Sequence, residues 1–135
     1  SNTYSHLGLL LYEAEEEEMA LDAFRKALER DQHNVTARIN LGWLLYLDGQ
    51  LQEAIAQTRR ALDKRINSHA LFNLALFYLH SGEVEKSRTT YAQAIEQFGA
   101  ATAVEIGAVD ELKDLRDQGI QVEAANKILD LYWTR

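Results

Sequence analysis

The sequence has no cysteine in its 135 residues, so a disulfide framework and a thiolate metal site are both excluded and stability must come from packing. It has no proline either, which removes the commonest helix breaker. Positive charge is scarce: 14 lysines and arginines stand against 21 aspartates and glutamates, a net charge of −7. An acidic surface displaces no counterions from a phosphate backbone or an anionic bilayer, so neither nucleic acid nor membrane is expected as a partner. Arg59, Arg60, Lys64 and Arg65 do cluster, but Asp63 interrupts them and no aromatic stacking platform is interleaved. No apolar run approaches the roughly 18 residues of a membrane span, and no basic-then-apolar leader opens the sequence. A cytoplasmic address is favoured on those grounds. The start at Ser1 and Asn2 without methionine suggests a processed chain or an excised piece with a cloning remnant, so the address signal is free to lie elsewhere.

What is present is a helix-rich composition, 47% hydrophobic and 26% charged, and a repeat. Leu7-Gly8, Leu41-Gly42 and Leu74-Ala75 recur at spacings of 34 and then 33 residues. Twelve residues after Gly8, Gly42 and Ala75 stands another small residue, Ala20, Ala54 or Ser87, and seven beyond that Ala27, Ala61 or Ala94. Phe24, Thr58 and Tyr91 fall between them, and Gly49 and Gly82 fall where the chain must turn. The spacing has a physical reading as pairs of antiparallel helices. Small residues let the two backbones of a pair approach, and the large ones fill the gap to the next pair. One pair cannot bury its own apolar face, whereas a stack of three can.

Caps agree with that reading. Asn34 and either Asn67 or Ser68 are placed as N-caps, and Gly49, Gly82 and Gly99 as helix stops. The expected helices are 3–15, 17–30, 35–48, 51–64, 68–81 and 84–98. Glu15 to Glu18 replace the first turn glycine, with carboxylates favouring the start of the following helix. Beyond Gly99 the repeat fades, but Val104, Ala108, Leu112 and Leu115 form one stripe and Val122, Ala125, Ile128, Leu129 and Tyr132 another. They predict two further helices, over 102–117 and 121–133, as a degenerate fourth unit or terminal cap.

These residues resemble the tetratricopeptide repeat pattern of an opening aromatic, Leu-Gly, aromatic, Ala, aromatic, Ala. Tyr4, Leu7, Gly8, Ala20, Phe24 and Ala27 carry it in the first unit, Leu41, Gly42, Gly49, Ala54 and Ala61 in the second, and Leu74, Ala75, Tyr78, Gly82, Tyr91 and Ala94 in the third. Three departures stand out: no unit ends in proline, Thr58 occupies an aromatic position, and Arg38 replaces the opening aromatic of the second unit. The resemblance implies an all-α, right-handed superhelical solenoid of stacked antiparallel helix hairpins, about eight helices in all. Repeats are expected over 1–34, 35–67 and 68–101, with 102–135 as the cap.

It also implies a non-enzymatic scaffold that holds a peptide or partner helix on a concave face lined by the first helix of each unit. The positions that map to that face are apolar: Leu9 and Tyr12, then Ile39, Trp43, Tyr46 and Leu47, then Phe72, Leu76 and Leu79. An amphipathic helix offering anchors at i, i+3 and i+7 suits such a surface. The chaperone-tail clamp of one subgroup is not supported, since Ser5, Leu9, His69 and Asn73 stand at its polar positions and only Asn40 matches. A structural alternative has the same residues buried permanently, by the last two helices, within a longer array, or in a homodimer.

Nothing points to catalysis or a cofactor. His6, His33, His69 and His80 include no i, i+4 pair, and the eleven helical residues from His69 to His80 span about 16 Å, too far to share one metal. Phosphate loops, nucleophile elbows and metalloprotease motifs are absent. Acidic pairs such as Glu83 with Glu85 or Asp110 with Asp114 are what an acidic helix produces by chance, and Asn34-Val35-Thr36 reads as a helix cap before a glycosylation acceptor.

Overall fold

The computed structural model describes residues 17–133. They form eight α-helices and no strand, and the chain divides into two compact units, one up to Ile66 and one from Asn67. The first contains α1 (Glu17–Arg30), α2 (Val35–Leu47) and α3 (Leu51–Lys64). The second contains α4 (Ser68–His80), α5 (Val84–Phe98), α6 (Ala100–Glu105), α7 (Ala108–Asp117) and α8 (Val122–Tyr132). The helix expected over 3–15 lies outside the described residues.

Local chemistry sets the boundaries. The Asn34 carboxamide accepts from the Ala37 N–H at 2.9 Å and starts α2. Of the two candidates for the next cap it is Asn67 that acts, accepting from the Ala70 N–H at 3.1 Å. At the end of α2, Gly49 takes a φ of 82°, and the Gln50 N–H reaches back to the Leu45 carbonyl at 2.8 Å. Gly82 repeats the motif after α4, with Glu83 N–H on the Tyr78 carbonyl at 2.9 Å. A left-handed residue at this place satisfies carbonyls that the helix end would otherwise leave open.

In the first unit α2 packs on both α1 and α3. Ala20, Phe24 and Ala27 of α1, Leu41 and Leu45 of α2, and Ala54 and Ala61 of α3 are all buried. At Gly42 α2 comes close to the backbone of α3, since a β-carbon there would stand 3.4 Å from the Ala54 carbonyl oxygen. In the second unit α5 lies against α4 in the same relation, and the small pair becomes Ala75 with Ser87, whose hydroxyl donates to the Ala75 carbonyl at 2.7 Å.

The C-terminal expectation needs correction. Residues 102–117 do not make one helix: α6 ends at Glu105, Gly107 adopts a φ of 85°, and α7 begins at Ala108. That break resets the helical phase. Ala103 is buried and Val104, assigned to the inner stripe, is 57% exposed. Val122 is likewise exposed at the first turn of α8, while Ala125, Ile128 and Leu129 are buried as expected. Trp133 closes this unit, its indole N–H donating to the Ala100 carbonyl at 3.0 Å and its ring meeting Tyr91 edge-on at 6.5 Å.

Candidate functional site

Nine apolar residues were expected to line a surface for a partner, and they divide into three groups. Leu9 and Tyr12 lie outside the described residues. Ile39, Phe72, Leu76 and Leu79 are buried and offer no surface, which corrects their assignment. The reason is clearest for α4, where Ala70 to Phe72 and Leu74 to Leu79 are all buried. A helix that is apolar all round is a core helix, and α5, α6 and α7 pack on it within its own unit. Phe72 is spent on Tyr91, ring to ring at 6.3 Å.

Trp43, Tyr46 and Leu47 form the third group. Trp43 and Tyr46 are half-buried on α2, with ring centroids 5.3 Å apart and planes tilted by 37°. Leu47 follows them at the helix end, 39% exposed. This is an aromatic pair three residues apart on one helical face, held by a helix whose other side is core.

A second feature of the first unit was not anticipated. A hollow of about 430 Å³ opens beside α2, bounded by α1 and α3. Leu28, Leu41 and Leu45 give it apolar walls, and Arg25, Glu29, Gln32, Arg38, Glu53, Gln57 and Arg60 give it polar ones. Arg38 crosses it, donating from Nη1 to the Gln57 side-chain oxygen at 2.7 Å and from Nη2 to the Gln32 carbonyl at 3.1 Å. Gln57 passes its own N–H to Glu53 at 3.0 Å. Burial and the neighbouring Arg60 charge together lower the Arg38 pKa from its ordinary value. The sequence signal was there, in the arginine that replaces an aromatic. What it hid was the space left behind.

The basic cluster noted in the sequence does not converge on one hollow. Arg60 lines the one just described, while Lys64 and Arg65 line another with Asp31, His33 and the first residues of α2. No group of three or more potential metal-ligating side chains occurs among the described residues. None of the described helices is long and apolar enough to cross a membrane.

Two tetratricopeptide repeat models match the sequence, over residues 6–69 and residues 69–100. The chain belongs to the tetratricopeptide repeat family. Among curated proteins, it is 26% identical over 133 residues to the protein STIP1 homolog of Dictyostelium discoideum, a match that takes in 92% of this chain. The chain spans 24% of that protein's length. The crystal structure of MamA superposes with a TM-score of 0.71 at 21% identity, covering 96% of this chain and 74% of that one. This likeness shows the all-α helical repeat fold. The structure of YrrB, described as a tetratricopeptide repeat protein with an unusual peptide-binding site, gives a TM-score of 0.45 at 18% identity over 94% of this chain and 81% of its own. Family membership supports a protein-interaction scaffold for this tetratricopeptide repeat chain.

Proposed function

We propose that this tetratricopeptide repeat protein is a non-enzymatic scaffold that binds a peptide or a partner helix through the Trp43–Tyr46 pair of α2. The observation that carries the reading is the partial exposure of two aromatic rings in contact, continued by Leu47, on a helix fixed by packing against α1 and α3. Rigid aromatic side chains lose little conformational entropy on binding and dominate the energy of protein interfaces. With Ile39, Phe72, Leu76 and Leu79 committed to the core, the surface is smaller than the sequence pattern implied. It suits a short helix or strand offering one or two apolar anchors.

The test is affinity capture with the wild type beside Trp43→Ala, followed by a measured affinity for each protein lost in the variant. A partner whose affinity is unchanged by the substitution removes Trp43 from the site. Sedimentation at several concentrations separates the structural alternative, because a homodimer built on the same residues dissociates on dilution.

A further inference from the structure

We propose a second binding site in the first unit: the hollow beside Arg38 takes a carboxylate side chain of a protein segment, with a neighbouring leucine-like side chain seated on Leu28, Leu41 and Leu45. It is distinct from the aromatic pair. Arg38, Leu41 and Leu45 recur at helical spacing on one face of α2, and Trp43 and Tyr46 belong to another.

Three observations converge. The first is the space itself, about 430 Å³ next to an arginine that stands where the repeat pattern has an aromatic ring. The second is its charge. Arg25, Arg38 and Arg60 all line it, and none of the three forms an ion pair among the described residues, although the whole chain carries a net charge of −7. Glu29 and Glu53 also line the hollow, but Glu53 accepts from Gln57 rather than from an arginine. The third is the geometry of Arg38, whose Nη1 and Nη2 are each held by a neutral acceptor, the Gln57 amide and the Gln32 carbonyl. Neutral acceptors fix the guanidinium plane without cancelling its charge, and a guanidinium has five donors in total. The fork is thus oriented without an ion-pair partner, and three arginines outnumber the two glutamates around it, a setting in which a carboxylate is bound through charge-assisted hydrogen bonds. Crowding by Arg60 points the same way, since an incoming anion relieves that repulsion.

The apolar walls decide what kind of anion fits. A free phosphate or acetate would leave Leu28, Leu41 and Leu45 uncovered, whereas an acidic residue flanked by leucine satisfies both halves of the site.

The experiment is a titration of the intact chain, followed by nuclear magnetic resonance at the arginine side-chain N–H and leucine methyl groups. Three probes are compared: a capped pentapeptide of alternating leucine and glutamate, the same peptide with glutamine for glutamate, and sodium acetate. The expected result is that the glutamate peptide shifts the signals of Arg38, Arg60, Leu41 and Leu45 together, and binds at least tenfold more tightly than either control. Arg60→Gln, an exposed change that leaves the fold intact by circular dichroism, weakens the glutamate peptide at least threefold. Arg38→Trp fills the hollow and abolishes the shifts. The proposal is overturned by the absence of these shifts at millimolar peptide, by equal binding of the glutamine peptide or of acetate, or by unchanged affinity in Arg60→Gln and Arg38→Trp. Trp43→Ala leaves this titration unaltered, so its outcome is independent of the surface proposed above.

Discussion

A β-carbon on Gly42 would lie 2.6 Å from the Thr58 hydroxyl oxygen, so these two residues fix how closely α2 and α3 approach. Thr58 is fully buried and its hydroxyl is turned back onto the Ala54 carbonyl at 2.8 Å, which holds the oxygen where Gly42 faces it. Where the repeat pattern has an aromatic, this pair of helices has a threonine whose hydroxyl oxygen faces Gly42.

Gly42→Ala should therefore destabilise the protein although alanine is the better helix former. Helix propensity favours the change by about 1 kcal/mol, and overpacking opposes it by about 1–3 kcal/mol, so a net loss of up to about 2 kcal/mol is expected in urea unfolding. Thr58→Ala removes the obstructing oxygen, and in that background Gly42→Ala should be neutral or stabilising. Additive effects of the two changes would show that the contact does not limit the packing.

The corresponding pair in the second unit behaves differently. Ser87 bonds to the Ala75 carbonyl from a fully buried site, a direct link from α5 to α4. Replacing it by alanine keeps the small volume and removes the bond, a loss of about 1 kcal/mol. Thermal unfolding of Ser87→Ala at the wild-type midpoint would refute the link.

For binding, Trp43→Ala should weaken a genuine partner by about 2 kcal/mol or more while leaving the helical circular dichroism signal intact. Leu47→Ala, at a more exposed position, should cost less. An order of effects in which Leu47 outweighs Trp43 would move the centre of the surface to the end of α2.

Stability should depend on pH through Glu111. Burial first, and then the Asp114 and Asp110 charges, raise its carboxyl from 4.5 to about 7. A raised carboxyl favours the protonated folded state, so its contribution is complete below about 4.5 and is lost as pH rises through about 7. Glu111→Gln should therefore raise the unfolding temperature at pH 8, by a few degrees in order of magnitude, and change it little at pH 4. A variant that gains as much at pH 4 as at pH 8 would assign the effect to something other than ionisation.

Most helix boundaries were legible because their causes are local. Asn34, Gly49 and Gly82 act through bonds to residues three to five positions away, and a pattern of residue types carries such information directly. Gly107 was missed because a glycine inside an apolar stripe is compatible with a continuous helix until its φ is known. Once it became a break, the inward side of α6 passed from Val104 to Ala103. The candidate surface was less legible than the fold. Ile39, Phe72, Leu76 and Leu79 have the residue types of an apolar groove and equally those of a core, and hydrophobicity does not distinguish a face awaiting a partner from one already covered.

By itself, then, the sequence determined the helical repeat, its caps and the small residues at which paired helices touch, since all of these follow from spacing and short-range bonding. Only the tertiary structure decided which apolar positions stay accessible, that Ser87 links two helices, and that Arg38 in an aromatic place leaves a charged hollow. Those outcomes depend on what distant segments bring against each residue, and the free energy of burial resides in that pairing rather than in either segment alone.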